Sequence, residues 1–191
     1  MSESRSLHTH VVTYGTHTWT IDRVYRCYRE PIARYLYQLC GSTDVAEELA
    51  QETFLRALVG WMAFRGDCSV ATWLFRIARN TYVNSLRAPA SAQIDTDEFL
   101  AIPDKSHDFD PVQQHASSEQ RSLIQLALGQ LPEKQRSILL LRDAEGLAYA
   151  EIADVLGISL AAVKVNLFRA RAAFRAAYAA FDHDSPHAEN A

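Results

Sequence analysis

The chain has 191 residues, of which 48% are hydrophobic and 22% charged, and its formal net charge is −4. This apolar content is typical of a globular protein and excludes general disorder, and the length allows one domain or two small ones. No apolar run approaches the roughly 20 residues that span a bilayer, and the first 20 residues lack the apolar core of a signal peptide. We therefore expect a cytoplasmic protein.

The cysteines and histidines give no pattern of metal ligands. Cys27, Cys40 and Cys68 are scattered without a CxxC pair, and the seven histidines lie in the two tails or in the central acidic segment. Such cysteines are typical of buried free thiols in a reducing compartment. We expect no metal site and no cofactor.

The N-terminal half has the periodicity of helices. Residues 1–18 are rich in Ser, Thr and His, and we expect them to be loose. Apolar residues at three- and four-residue steps then predict three helices, interrupted by Pro31, which kinks or divides the first one. Ser42, Thr43 or Asp44 can cap the second helix. The predicted helices span about 19–40, 44–61 and 69–86, with the loop Phe64–Ser69 (FRGDCS) before the third.

The centre of the chain has the composition of a linker. Residues 88–118 contain six acidic residues and one lysine, so their net charge is −5. Periodicity is low, and prolines lie at positions 103 and 111. This pattern predicts a flexible, acidic connection.

The C-terminal half regains helical periodicity and ends in a predicted helix-turn-helix over 149–171. Gly157 lies where the turn requires positive φ, and Ser159 is a good N-cap for the second helix. Val163 and Leu167, four residues apart, predict an inward stripe on that helix. Residues 159–175 carry four basic residues and no acidic one, and a cationic helix of this kind suits the major groove of DNA.

These segments predict an all-α fold of two small helical domains joined by a flexible acidic linker. We see no strand alternation and no internal repeat. The predicted boundaries are 19–89 for the first domain, 90–115 for the linker and 116–181 for the second domain.

Two blocks of sequence together resemble one family. The first is DVAEELAQETFLRAL with FRGDCSVATWLFRIARNTYVNSLR, and the second is LPEKQRSILLLRDAEGLAYAEIADVLGISLAAVKVNLFRARAAFR. The chain is similar to the extracytoplasmic-function (ECF) group of bacterial sigma-70-type RNA polymerase sigma factors over about residues 19–180. The resemblance implies a sigma factor without catalytic activity of its own. It implies that region 2 binds the β′ coiled coil of core RNA polymerase and reads the −10 element, whereas region 4 binds the β flap and reads the −35 element. It also implies an anti-sigma factor as a partner.

The second helix carries the predicted polymerase-binding surface. Its acidic and apolar side chains match a basic helical partner, although a merely solvated helix face is the alternative. The residues are Asp44, Glu47, Glu48, Gln51, Glu52, Phe54 and Leu55.

The FRGDCS loop and the third helix match the −10 reader of the family. A base is read by its Watson–Crick edge only after it leaves the stack, so it needs a pocket with aromatic and polar walls. Wall residues and phosphate contacts are expected among Phe64, Arg65, Asp67, Arg76, Arg79, Asn80 and Asn84. Asn84 stands where many relatives carry Asp. Trp73 is expected to pack in the core rather than stack on a base.

The second helix of the helix-turn-helix matches the −35 reader. An apolar Val165 suits the methyl group of thymine, and Arg171 and Arg175 suit phosphates. Relatives often carry Gly-Thr at Ala161-Ala162 and Ser-Arg at Val165-Asn166, which indicates a different preferred −35 sequence. The predicted set is Ser159, Lys164, Val165, Phe168, Arg169, Arg171 and Arg175.

Two other functions compete with this interpretation. A stand-alone DNA-binding regulator would use the same helix-turn-helix, usually as a dimer on an inverted repeat, but it leaves the FRGDCS loop unexplained. An enzyme would require a nucleophile, a base or a metal set in one pocket, and the sequence offers none of these.

Overall fold

The computed structural model describes residues 11–14, 17–87 and 118–183. The predicted linker, residues 90–115, lies outside this part of the chain, as does most of the N-terminal tail. The elements are β1 (Val12–Tyr14), β2 (His17–Trp19), α1 (Ile21–Cys40), α2 (Thr43–Gly60), a 3-10 turn (Trp61–Ala63), α3 (Val70–Ser85), α4 (Ser118–Gly129), α5 (Glu133–Leu139), a π-helical segment (Leu140–Ala144), α6 (Tyr149–Leu156) and α7 (Leu160–His183).

Three helices build the N-terminal half, as the periodicity predicts. Thr20 caps α1, whose last turn ends at Gly41 with φ +75°. Ser42 is the residue that caps α2. Pro31 does not divide α1, which continues to Cys40. The carbonyl that loses its hydrogen bond belongs to Cys27, an exposed residue.

A short antiparallel hairpin precedes α1, so the expectation of no strand is wrong, and the expectation of a loose tail is wrong for the residues of the tail that the structure describes. Val12 pairs with Trp19 and Thr13 with Thr18. Val12 is buried, whereas its neighbours Thr13 and Tyr14 are exposed. Strands of three residues are too short to produce a recognisable alternation in the sequence, which is why the pattern does not predict them.

The helix-turn-helix forms where it was predicted. Gly157 has φ +64°, and the Ser159 hydroxyl accepts a hydrogen bond of 3.2 Å from the backbone N–H of Ala162. Val163 and Leu167 are buried. The last helix continues to His183 rather than fading before it, and a π-helical segment that the periodicity does not reveal follows α5.

The two halves pack directly against each other, so their buried side chains form one continuous apolar core. The main contact is between α3 and α6, and α1 also touches α4 and α5. Within the described ranges, no helix is long and apolar enough to cross a membrane.

Candidate nucleic-acid interface

The acidic face of α2 points to solvent. Asp44, Glu47, Glu48 and Gln51 are exposed, and the helix packs inward through other positions, among them Leu49, Ala50 and Thr53. Spacings of three and four residues place the exposed side chains on one side of the helix. The face therefore offers negative charge that is open to solvent among the described residues.

The other members of the predicted polymerase-binding set are less accessible. Glu52 forms an ion pair with Arg56 one turn along the helix. Phe54 is half-buried and meets the ring of Tyr25 edge-on, with 4.9 Å between the ring centres, and Leu55 is half-buried. Phe54 therefore joins α2 to α1 and leaves only part of its surface for a partner.

The FRGDCS loop lies on an aromatic cluster. Phe64 is buried and stacks on Trp73, with 4.7 Å between the ring centres, and both rings contact Trp61. Trp73 is half-buried and packs against the core. In this arrangement Phe64 supports the loop from below and does not line an open pocket, whereas Arg65 and Asp67 on either side of Gly66 are exposed.

The predicted −10 contacts on α3 are arranged along one side of that helix. Asn80 and Asn84 are exposed, while Arg76 and Arg79 are half-buried. Arg79 donates to the carboxylate of Glu133 on α5 at 3.1 Å. One predicted phosphate contact is therefore already engaged by an acidic residue of the other half.

The outer face of α7 combines positive charge with apolar surface. Phe168 is 74% exposed and Val165 is 50% exposed, and Lys164 and Arg169 are also exposed. Val165 and Phe168 are three residues apart, so they share one side of the helix and place apolar surface beside the positive charge.

Two arginines extend this face along α7. Arg171 donates two hydrogen bonds to the carboxylate of Asp143, one of them 2.9 Å long, and Arg175 is exposed. Because both Arg171 and Asp143 lie at the surface, this pair contributes little to stability and can be exchanged for a phosphate.

Glu151 joins the helix-turn-helix to the start of α3. Its carboxylate accepts hydrogen bonds from Ser69 at 2.8 Å and from Thr72 at 3.1 Å, and its second oxygen accepts from the Ala148 backbone N–H at 2.9 Å. Burial by itself would raise the pKa of Glu151, but these three hydrogen bonds outweigh it and lower the pKa. The charged form is therefore the one that this contact stabilises.

A second carboxylate, that of Glu145, links the two halves at a different place. Arg34 on α1 makes a bidentate pair with Glu145, with all three N–O distances between 3.0 and 3.1 Å. The Glu145 side chain is only 5% exposed, and burial raises its pKa despite the opposing effect of Arg34. A buried charge of this kind depends on its partner.

Tyr35 anchors a third link between the halves. Its hydroxyl donates to Ser137 at 3.2 Å, and Ser137 donates in turn to Glu133 at 3.0 Å. Since Glu133 also accepts from Arg79, the three helices α1, α3 and α5 share one hydrogen-bond network.

Predicted −10 contacts on α3 and the turn of the helix-turn-helix line the same cleft, in which Ser159 represents the predicted −35 set. Arg76, Arg79 and Asn80 form one wall, and residues 153–159 of the helix-turn-helix form the other. Its volume is about 580 Å³. The part of α3 that is predicted to meet DNA is thus partly covered by the domain that carries the other reader.

Sequence reasoning missed the residues that hold this arrangement. Glu145, Glu151 and Arg34 were not predicted as functional, because pairs more than 75 residues apart leave no local pattern. The only signal was Glu151 at the third position of α6, where a glutamate typically caps the helix backbone.

Comparisons with known proteins agree on one family. A family model for sigma-70 region 2 matches residues 24–91, and one for sigma-70 region 4 matches residues 121–174. The chain is 36% identical to the RNA polymerase sigma factor YlaC of Bacillus subtilis over 159 residues, 81% of this chain and 90% of that protein. It is 33% identical to the ECF RNA polymerase sigma-E factor of Escherichia coli K12, over 76% of this chain and 80% of that protein.

A solved structure shares the fold. The sigma factor RpoE of Bartonella quintana, in complex with the anti-sigma factor NepR, matches with a TM-score of 0.66 and 24% identity. The match covers 82% of this chain and 94% of that one, so the same arrangement of helices extends over both halves.

Proposed function

Because the chain belongs to the ECF group of sigma-70-type RNA polymerase sigma factors, which direct promoter-specific transcription initiation, we propose that its exposed faces divide this task. Residues 19–89 act as region 2, residues 116–181 act as region 4, and residues 90–115 connect them. No step in this function requires catalysis by the chain. A cytoplasmic location follows, because core polymerase and the chromosome are there.

The acidic face of α2 is the proposed docking surface for the coiled coil of the β′ subunit. Support comes from its accessibility, since Asp44, Glu47, Glu48 and Gln51 are exposed together. Carboxylates on a helix favour a basic helical partner and accelerate the encounter. Glu52, Phe54 and Leu55 lie at the inner edge of this surface.

The FRGDCS loop and the outer side of α3 are the proposed −10 reader. Asp67, Asn80 and Asn84 supply acceptors and donors for an unstacked base, and Arg65 and Arg76 supply charge for phosphates. Phe64 holds the loop on its aromatic base in this proposal, since it is buried in the stack with Trp73. Arg79 becomes available for DNA when it leaves Glu133.

The outer face of α7 is the proposed −35 reader. Lys164 and Arg169 approach base edges or phosphates, while Val165 contacts a thymine methyl and Phe168 packs against the apolar edge of the groove. Arg171 and Arg175 hold the backbone. In the same proposal, other side chains of α7 dock on the β flap.

The two readers must separate before both elements can be bound. The −35 and −10 positions differ by about 25 nucleotides, roughly 85 Å of straight duplex at 3.4 Å per base pair. In the structure Arg76 of one reader and Ser159 of the other line a single cleft. We infer that the structure is the closed form of the protein, and that polymerase draws regions 2 and 4 apart.

An anti-sigma factor is the proposed regulator. Support comes from the relative of known structure, in which the sigma factor RpoE is bound to the anti-sigma factor NepR. A protein that binds the closed form more tightly than the open form would shift the population away from DNA.

Transcription by a reconstituted holoenzyme tests the proposal. Purified protein is mixed with core RNA polymerase and assayed for binding and for run-off transcription on a genomic promoter pool. We expect polymerase binding and new start sites, with weak binding of promoter DNA by the protein alone. Tight duplex binding without polymerase, and no binding to core, would instead support a stand-alone regulator.

A further inference from the structure

The N-terminal hairpin is not required by the proposed function, although it is held firmly against α1. An isolated two-stranded hairpin is marginally stable in water, so its position depends on contacts outside it. The ring centres of Trp19 and Tyr28 are 5.7 Å apart. The guanidinium of Arg23 lies 4.9 Å from the Trp19 ring and donates to the Thr18 carbonyl at 2.8 Å. Strand β2 is therefore fixed to the first two turns of α1.

Strand β1 lies on the turn of the FRGDCS loop. Gly66 has φ +78°, and a Cβ atom at this position would lie 3.2 Å from the Thr13 carbonyl oxygen and 3.4 Å from a methyl group of Val12. Val12 is 5% exposed. The backbone of β1 and the side chain of Val12 thus cover Gly66, on whose two sides Arg65 and Asp67 are exposed.

The loop is consequently held from two directions. Phe64 fixes its start on the aromatic cluster of Trp61 and Trp73, and β1 restrains its turn. A glycine at positive φ has many accessible conformations when nothing restrains it. A pocket that captures an unstacked base gains affinity when its walls are already in place, because less conformational freedom is lost on binding.

We propose that the hairpin is a positioning element for the −10 reading loop and that Val12 is its positioning residue. The inference rests on the proposed role of the FRGDCS loop. Val12 touches no DNA in this proposal; it acts through Gly66 on the placement of Arg65 and Asp67. Its loss should weaken the capture of the −10 base and leave polymerase binding and −35 recognition unchanged.

The test compares Val12→Ala with Val11→Ala in the full-length chain bound to core polymerase. Val11 is the matched control, since it is the adjacent valine and is 48% exposed. Capture is followed by the fluorescence of 2-aminopurine in the −10 element, and discrimination by the ratio of transcription from matched and mismatched −10 sequences. We expect Val12→Ala to lower both by about five- to tenfold, with Val12→Ile close to the parent and Val11→Ala unchanged.

Two further measurements distinguish a failure of the proposed loop function from a failure of the positioning role of the hairpin. Arg65→Ala tests the loop directly: if it leaves −10 discrimination unchanged, the proposed loop function fails. If Arg65→Ala acts while Val12→Ala equals Val11→Ala, the loop function stands and the positioning role is overturned. A loss of core affinity in Val12→Ala equal to its loss of −10 discrimination would also overturn it, because the effect would then be general.

Gly66→Ala alters the same contact between the loop and β1, and it serves as the test if Val12→Ala folds poorly. Its new Cβ atom would be strained at φ +78° in any surroundings and would also lie 3.2 Å from the Thr13 carbonyl oxygen, so −10 discrimination should fall further than in Val12→Ala. The double variant should show less than the product of the two single effects, because both act on one contact. Independent, multiplicative effects would contradict the inference.

Discussion

The acidic face of α2 and the side of α3 that is proposed to face DNA belong to the same small bundle, yet they differ in how far other elements cover them. Asp44, Glu47 and Glu48 are open to solvent. Arg79 on α3 is paired with Glu133, and the hydroxyls at the start of α3 are paired with Glu151. The face proposed for polymerase is accessible, and the face proposed for the promoter is partly covered.

This difference implies an order of events. Under the proposed function, a protein in the closed form can meet polymerase first, because that encounter requires only the open face of α2. Access to the −10 element would then require that α6 leaves α3, and binding to polymerase would supply the free energy for this separation. A ligand shifts such an equilibrium only as far as its affinities for the two forms differ.

The largest expected effect comes from reversing the charge of the open face. The double variant Glu47→Lys/Glu48→Lys should lower core polymerase affinity by on the order of 100-fold, since like charges at an interface cost several kcal/mol. The measurement is core binding by fluorescence anisotropy at two salt concentrations. Asp182→Lys, at the exposed end of α7, is the control. Unchanged core affinity in the double variant would remove α2 as the docking face.

Breaking the buried ion pair should open the closed form. Arg34→Met leaves Glu145 buried and unpaired in the closed form, which costs roughly 2 kcal/mol there and shifts the closed-to-open ratio by about 30-fold. Energy transfer between dyes at the exposed positions Val59 and Ala180 reports the separation of the halves. The same variant should bind −35 duplex and −10 single strand more readily without polymerase.

Glu145→Gln is the matched variant for that pair. It removes the buried charge as well as the pairing, and burial already disfavours that charge, as the raised pKa of Glu145 indicates. The shift toward the open form should therefore be several-fold smaller than in Arg34→Met. Equal shifts in the two variants would mean that the uncompensated charge is not what opens the protein.

A smaller shift of the closed-to-open ratio is expected from removing one of the hydroxyls that donate to Glu151. Thr72→Val preserves the shape of the side chain and removes one hydrogen bond to the carboxylate. This costs the closed form about 1 kcal/mol and lowers the closed-to-open ratio roughly fivefold. Thr81→Val on the same helix is the control, because the buried Thr81 hydroxyl has no hydrogen-bond partner among the described residues. If Thr81→Val lowered the closed-to-open ratio as much as Thr72→Val, the hydrogen bond from Thr72 to Glu151 would not be what stabilises the closed form.

The smallest expected effect concerns sequence preference at the −35 element. Val165→Ala removes two methyl groups from an exposed position, so stability should change by less than about 0.5 kcal/mol. Affinity for a −35 site with thymine at the contacted position should fall by about threefold, with little change for a site that lacks it. If Val165→Ala changed the affinity for both sites by the same factor, or for neither, the thymine contact would be contradicted.

The local elements were accessible from the sequence because each has a short-range physical cause. Gly157 adopts the positive φ that the turn predicts, Ser159 caps α7, and Val163 and Leu167 are buried as their four-residue spacing indicates. The hairpin was missed because three residues per strand carry too little alternation. The π-helical segment was missed because its apolar run, Ile138 to Leu141, is equally compatible with a continued α-helix.

The helical class, the two blocks and the residue types of the candidate faces are evident from the sequence, because periodicity, caps and charge are properties of neighbouring residues. The accessibility of these faces depends on tertiary packing. Glu151 meets Ser69 and Thr72, Glu145 meets Arg34, and β1 covers Gly66. These contacts join distant segments, whose pairing depends on how whole helices pack and leaves no spacing that a sequence can display.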